Sequence, residues 1–306
     1  MANLFAKAAV GSDIGISRNN NEDNYFLNGK FANYKKNNQT STAFQSPVIE
    51  GVFAVFDGMG GQSKGEFASL TAAQTLELYK DDIARGNTHK IFDYISDTNN
   101  RICNEMKKNN ERIGSTVAIL TISDGVAQAY NLGDSSIYHL SKRKITKLTR
   151  DHTVADQLYR MNALTEEEAR KDVRRHSLTK HLGMFADETN IKPYASGNIR
   201  VSNGDMFLLC TDGITNTVNE KDIKRILYMF DGRCKKSVNA LIEMAIENGS
   251  DDNLTAMVVR IVNSTNSSTI KRKLSKHPRF YPFLLGVGIS AVIFVTIITI
   301  ILSRFT

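Results

Sequence analysis

Along the first 262 positions, apolar residues recur with two periods. Short runs rich in Val, Ile, Leu, Phe and Thr at Val52–Phe56, Ser115–Ile122, Val126–Leu132, Ile137–Leu140, Met206–Thr211 and Leu254–Val262 end in Gly, Asp or Ser steps and predict strands. Segments with an apolar residue every third or fourth position predict helices: Gly65–Ala84, Lys90–Lys107, Glu166–Arg174, Glu220–Met229 and Lys235–Asn248. Several strands follow one another directly, as in "STVAILTISDGVAQAYNLGDSSIYHL", where Asp124–Gly125 is a two-residue hairpin signal. That order argues for antiparallel sheet layers with helices outside, an α+β domain, rather than a parallel nucleotide-binding sheet. Asn28–Ser46, rich in Asn, Lys, Thr and Ser, reads as a surface loop. No internal repeat is visible.

The pattern changes after position 262. Val262–His277 is a polar linker, and Phe283–Leu302 is twenty residues without a charge. At about 1.5 Å per residue such a helix spans roughly 30 Å, the hydrocarbon thickness of a bilayer. Five Lys/Arg lie between Lys271 and Arg279, and only Arg304 follows the run. The positive-inside rule then predicts a single-pass anchor with the N-terminal domain in the cytoplasm and Tyr281 at the interface. The N-terminal "MANLFAKAAVGSD" has too short an apolar stretch for a signal peptide. The expected organisation is a globular domain over 1–262, a linker over 263–282, a transmembrane helix over 283–302 and a short tail over 303–306.

Charge changes the picture little once located. The formal charge of the 306-residue chain is +7, but six of its 39 basic residues and none of its 32 acidic ones lie beyond position 262. The body thus carries 33 basic against 32 acidic residues, which argues against nucleic-acid binding. Cys103, Cys210 and Cys234 have no paired spacing and read as reduced structural thiols. None has an arginine six positions on, so a cysteine-nucleophile phosphatase loop is absent.

Acidic residues collect at predicted strand ends. Asp57 ends Val52–Phe56, Asp134 ends the run before "SS", Asp212 ends "FLLCT", Asp251 and Asp252 open "NLTAMVV", and Glu22 and Asp23 precede Tyr25 and Phe26. One Asp-Gly after a strand is usually a turn, and Asp124–Gly125 and Asp205 read that way. Several carboxylates at core strand ends are costly to desolvate unless paired or metal-bound. Hard oxygen donors without nearby Cys or His favour Mg2+ or Mn2+ over zinc, and Gly58 can offer a carbonyl. Gly58, Gly60 and Gly61 are expected to let the chain turn behind Asp57. Arg18, four residues before Glu22, is either a salt-bridge partner or a phosphate-binding guanidinium. Metals with an arginine suggest phosphoryl chemistry, in which two cations about 3.5–4 Å apart activate one water. No Walker-type loop is present, which favours hydrolysis over nucleotide-driven transfer.

The chain resembles the metal-dependent protein phosphatases, the type 2C serine/threonine phosphatases, and especially their bacterial branch. The resemblance is carried in order by "SRNNNEDNYF" (Ser17–Phe26), "VFDGMGGQSKGEFAS" (Val55–Ser69), "GSTVAIL" (Gly114–Leu120), "NLGDSSIY" (Asn131–Tyr138), "LTRDHT" (Leu148–Thr153), "LLCTDGITNTV" (Leu208–Val218) and "GSDDNLTAMVV" (Gly249–Val259). It implies a two-sheet antiparallel β-sandwich flanked by helices (αββα) with the metal centre at one edge. It also implies that Asp57 bridges two metals, Gly58 offers its carbonyl, and Asp212 and Asp252 complete the first metal's shell. Glu22 serves the second metal, Asp23 orients bound water, Asp134 binds a third, weaker metal, and Arg18 binds the phosphate. The region from His152 to about Lys192 would be a flap governing substrate choice.

One position departs from many eukaryotic members: Met59 stands where they carry a histidine assigned as general acid, and a thioether cannot donate a proton. His152 reads as structural, so the acid is unassigned. The expected partners are phosphoserine and phosphothreonine proteins and a cognate serine/threonine kinase, at a bacterial inner membrane. Two other readings stand beside this one: a phosphatase of small esters or cyclic dinucleotides, and a non-enzymatic phosphoprotein binder.

Overall fold

The computed structural model describes residues 4–33, 40–60, 64–185 and 191–263. The N-terminal part runs β1 (Leu4–Asp13), β2 (Asn24–Leu27), β3 (Ser41–Val48), β4 (Gly51–Phe56) and β5 (Gly58–Gly60), then helices α1 (Gly65–Ala84) and α2 (Lys90–Asn109). Strands β6 (Ile113–Ser115), β7 (Val117–Ser123), β8 (Val126–Leu132), β9 (Ser136–Ser141) and β10 (Lys144–Lys147) follow. Helices α3 (Val154–Arg160) and α4 (Glu166–Lys171) precede β11 (Tyr194–Arg200) and β12 (Met206–Cys210). Helices α5 (Asp212–Thr215), α6 (Glu220–Met229) and α7 (Cys234–Glu247) lead to β13 (Leu254–Asn263).

Two antiparallel sheets result, in the orders β10-β9-β12-β13-β1-β3 and β11-β8-β7-β4-β2, with β5 and β6 forming a small ribbon. Alternation along the strands builds the layers. In β4, Phe53 and Val55 face the core between the sheets, whereas Val52, Ala54 and Phe56 face α1 and α2. A strand covered on both faces reads as an unbroken apolar run, which is why Val52–Phe56 shows no polar alternation. Each such buried Val or Phe side chain contributes roughly 1.5–3 kcal/mol. The other sheet packs its outer face against α6 and α7 through Ile223, Leu227, Val238 and Leu241. The layers are thus helix, sheet, sheet, helix, as the resemblance implies.

Local departures from the sequence reading have physical causes. β1 is rich in alanine because α7 presses on it: a Cβ at Gly11 would sit 2.9 Å from both Val238 and Ile242. Its apolar signal is therefore weak. The expected loop Asn28–Ser46 is corrected in its second part, since Ser41–Val48 pairs with β1 as an edge strand whose outward residues are polar or exposed. The expected strand Ser115–Ile122 breaks at Thr116 into β6 and β7. The helix expected over Glu166–Arg174 stops at Lys171 because Asp172 turns extended and its side chain accepts from the Arg174 N–H, starting the 3-10 turn Val173–His176. The Asp124–Gly125 hairpin forms as expected, with both residues at positive φ between paired Ser123 and Val126.

The turn expected behind Asp57 is also corrected. Gly58 and Gly60 continue as β5, paired with Ser115 and Ile113, and Gly61 is outside the described residues. Gly58 is required by close approach: a Cβ there would lie 2.2 Å from the Gly65 carbonyl oxygen and 2.4 Å from that of Glu22. Among the described residues no helix is long and apolar enough to cross a membrane. The predicted linker from 264 onward, the span 283–302 and the tail 303–306 lie outside the described residues.

Candidate metal centre at one sheet edge

Strand direction brings the acids together. Asn24 pairs with Phe56, so Asp23 and Asp57 leave the ends of β2 and β4 at the same edge. Asp212 follows β12 and Asp252 precedes β13, its antiparallel neighbour, in which Cys210 pairs with Ala256. Asp134 follows β8, which runs antiparallel to β7 as β4 does. Each strand end exposes one carboxylate to a common rim, and Asp57, Asp134, Asp212, Asp252 and Glu22 are half-buried there.

Asp57 is fixed from its own backbone. Its N–H donates to Thr116 Oγ1 at 3.0 Å, its carbonyl accepts from the Thr116 N–H at 2.9 Å, and Thr116 Oγ1 shares a 2.7 Å hydrogen bond with Ser135. Gly58 N–H donates to the Glu22 carbonyl at 3.2 Å, and Glu22 Oε1 accepts from the Gly65 N–H at 3.2 Å, at the start of α1. A carboxylate at a helix N-terminus is favoured by the dipole. Asp23 lies deeper than the rest and is fully buried. Its Oδ2 accepts from Thr211 at 2.8 Å and from Thr255 at 2.7 Å, so that oxygen is occupied within the protein.

Crowding shapes the electrostatics. Burial pushes the Asp57 carboxyl well above its usual range, and Asp23, Asp212, Asp134 and Asp252 add to the rise. Burial likewise raises Asp23 to about 8, against the two threonine hydroxyls, and raises Asp134 to about 8, with Asp212 and Asp151 contributing. Asp252 is raised by burial and by Asp212, and Glu22 chiefly by burial. Asp212 goes the other way: burial would raise it, but nearby His176 and Asp57 and the Asn216 Nδ2, which donates to Oδ2 at 3.0 Å, lower it. Burial and the neighbouring acids thus oppose ionisation of Asp57, whereas the surroundings of Asp212 favour it.

A divalent cation fits this donor set. Asp212 Oδ1 is buried and has no hydrogen-bond partner among the described residues, and a cation would compensate its charge. The donors are carboxylate oxygens, the chemistry of Mg2+ and Mn2+. Among the described residues no three Asp, Glu, His or Cys side chains are spaced to hold a metal ion as they stand, so the rim acids would have to draw together on a cation.

Arg18 is half-exposed beside this rim. Its Nη2 lies 2.9 Å from Asp252 Oδ1 and its Nε donates to the Asp251 carbonyl at 3.1 Å, so its acidic partner is Asp252 rather than Glu22. Residues 152–182 cover the other side. There His152 Nδ1 accepts from the Gly133 N–H at 3.1 Å, a structural role, and His176 Nδ1 comes within 3.8 Å of Asp212 Oδ2. Asp134, Asp212 and His176 share a cavity of about 570 Å³ with Tyr159, Arg170 and Arg175. Thr116, Thr211, Thr255, Asn253 and His176 carry no acid signal in the sequence. The threonines and Asn253 sit inside the motif strings, but the groups they hold lie far off in sequence: Thr116 holds Asp57, Thr211 and Thr255 hold Asp23, and Asn253 holds the Glu22 N–H.

Residues 33–258 match the family model for protein phosphatase 2C, and the chain belongs to that family. It is 28% identical over 262 residues to the serine/threonine phosphatase Stp of Listeria monocytogenes, covering 82% of this chain and 94% of that one. It is 27% identical over 264 residues to the serine/threonine protein phosphatase PstP of Mycobacterium tuberculosis, covering 85% of this chain but 46% of that protein, about half its length. The solved catalytic domain of PstP, in complex with two manganese ions, superposes with a TM-score of 0.69 at 25% identity over 85% of this chain and 99% of that one.

Proposed function

We propose that this protein hydrolyses phosphoserine and phosphothreonine in other proteins with two divalent cations, Mn2+ or Mg2+, and is anchored in a membrane by residues 283–302 with its catalytic domain in the cytoplasm. The observation that carries the reading is the convergence of Asp57, Asp212 and Asp252 on one rim with Arg18 beside them. Asp57, Gly58, Asp212, Asp252 and Glu22 would hold the two cations, and Asp134 a third, weaker one. Bound there, such cations lower the pKa of water and neutralise charge on a phosphoryl group.

The chain's own groups do the rest. Arg18 has a guanidinium open to solvent, shaped to take two phosphoryl oxygens and fix the group for in-line attack. Asp23, held by the hydroxyls of Thr211 and Thr255, stands behind Asp57, and bound cations would favour its ionised form, in which it would orient bound water. Met59 supplies no proton to the leaving alkoxide. The cavity floored by Asp134 and Asp212 leaves room for the peptide around the phosphorylated residue.

The anchor rests on the uncharged run Phe283–Leu302 and the basic residues before it. A membrane-bound serine/threonine kinase would be the matching source of substrate. Full-length protein in detergent, assayed on phosphoserine, phosphothreonine and phosphotyrosine peptides with and without Mn2+, tests the reading. Mn2+-dependent release from the first two supports it. Turnover confined to small esters or cyclic dinucleotides would replace it.

A further inference from the structure

Asn253 is 5% exposed, and every polar group of its side chain is in use. Its Oδ1 accepts from the Glu22 N–H at 2.8 Å, and its Nδ2 donates to the carbonyls of Ile14 and Asn20, each at 2.9 Å. One N–H and two carbonyls admit only this orientation of the amide. The three partners bracket the loop from β1 to β2, with Arg18 inside the bracket and the Glu22 carboxyl at its end.

The same strand entry holds that loop at further points. The Asn253 N–H donates to Asp252 Oδ1 at 2.8 Å, the oxygen that also pairs with Arg18. The Asp251 carbonyl takes the Arg18 Nε, and Gly15, at φ +77°, lies so close that a Cβ would be 2.3 Å from the Asp252 carbonyl oxygen. On the opposite side, a Cβ at Gly213 would be 2.1 Å from the Asn253 carbonyl oxygen, which leaves Asn253 no room to retreat toward α5.

We propose that Asn253 is the positioning residue that registers the β1–β2 loop on the entry to β13, so that Arg18 and Glu22 keep a fixed relation to Asp252. It touches no phosphoryl group itself. The inference rests on the phosphatase reading for Arg18's role, but its effect on the carboxylates can be read without turnover.

Asn253→Asp keeps size and the acceptor for Glu22, while setting an oxygen against two carbonyls. In the full chain we expect KM for a phosphothreonine peptide to rise at least about tenfold, as displacing a binding group by a fraction of an ångström does. Mn2+ affinity by calorimetry should weaken by a similar factor. In an Arg18→Ala background the same change should raise KM less than about twofold, because Arg18's placement no longer matters. Unchanged KM and Mn2+ affinity, or equal KM factors in both backgrounds, would overturn the proposal. Should Asn253→Asp not fold, Gly15→Ala shifts the same loop from the other side: KM non-additivity with Arg18→Ala is expected, and additivity overturns the proposal. If the phosphatase reading itself fails, the unmodified chain shows no Mn2+-dependent turnover, and calorimetry on Asn253→Asp still decides the Asn253 claim.

Discussion

Asp57 and Thr116 bind each other twice: the Asp57 N–H donates to the Thr116 hydroxyl at 3.0 Å, and the Thr116 N–H donates to the Asp57 carbonyl at 2.9 Å. The strand break at Thr116, between β6 and β7, is what turns that hydroxyl toward the acid. The carboxylate is thus placed by its backbone while its side chain remains available.

Thr116→Val removes the hydroxyl from Asp57 and Ser135 but preserves shape. It should cost about 1–3 kcal/mol in urea unfolding, the penalty for buried groups left without a partner, and should weaken Mn2+ binding. Thr116→Ser should recover most of both. A Thr116→Val protein as stable as the parent would show that the clip is incidental.

Asp57→Asn should reduce peptide dephosphorylation by about 10³-fold or more, on the scale of losing a principal electrostatic group. The cation-free fold should be no less stable, because the substitution replaces a carboxyl whose ionisation is already opposed by burial and neighbouring acids. Circular dichroism melts in EDTA and phosphate release in Mn2+ read the two halves separately.

The raised acids set a pH dependence. Asp23 and Asp134, at about 8 in the folded chain against 3.8 for the free side chain, bind more protons folded than unfolded between those values. These two acids should therefore make stability in EDTA fall as pH rises from about 4 toward about 8. Saturating Mn2+, which prefers the ionised acids, should flatten or reverse that slope between pH 6 and 8 in thermal melts. A cation-free melting temperature that climbs across this interval would contradict the picture of crowded, protonated acids.

Gly58→Ala introduces a methyl group 2.2 Å from one carbonyl oxygen and 2.4 Å from another, both backbone. A destabilisation of about 2–3 kcal/mol or more is expected in chemical unfolding. Gly125→Ala tests only backbone strain, since no atom lies within 4 Å of a Cβ there. It should cost about 1 kcal/mol.

Much of this was legible in the sequence for identifiable reasons. β4 and β12 are covered on both faces, so their runs are apolar throughout, and acids at their ends stand out. The edge strands β3 and β10, half solvated, and the alanine-rich β1 carry too little apolar contrast to be read that way. The acids were found because charge at a strand end is conspicuous. Their supports were not, because Thr116, Thr211, Thr255 and Asn253 are common residue types whose meaning depends on partners as far as 243 positions away. The turn assigned to Gly58 failed for a related reason. Glycine signals freedom of φ, but here it makes room for two neighbouring backbones that sequence proximity does not reveal.

The central claim is that these rim acids form one divalent-cation centre organised by Asp57. Calorimetric titration of Mn2+ into the EDTA-stripped full-length chain tests it most directly. Two saturable sites per chain, with loss of strong binding in Asp57→Asn, is the predicted result. No saturable binding, or an isotherm that Asp57→Asn leaves unaltered, would contradict it.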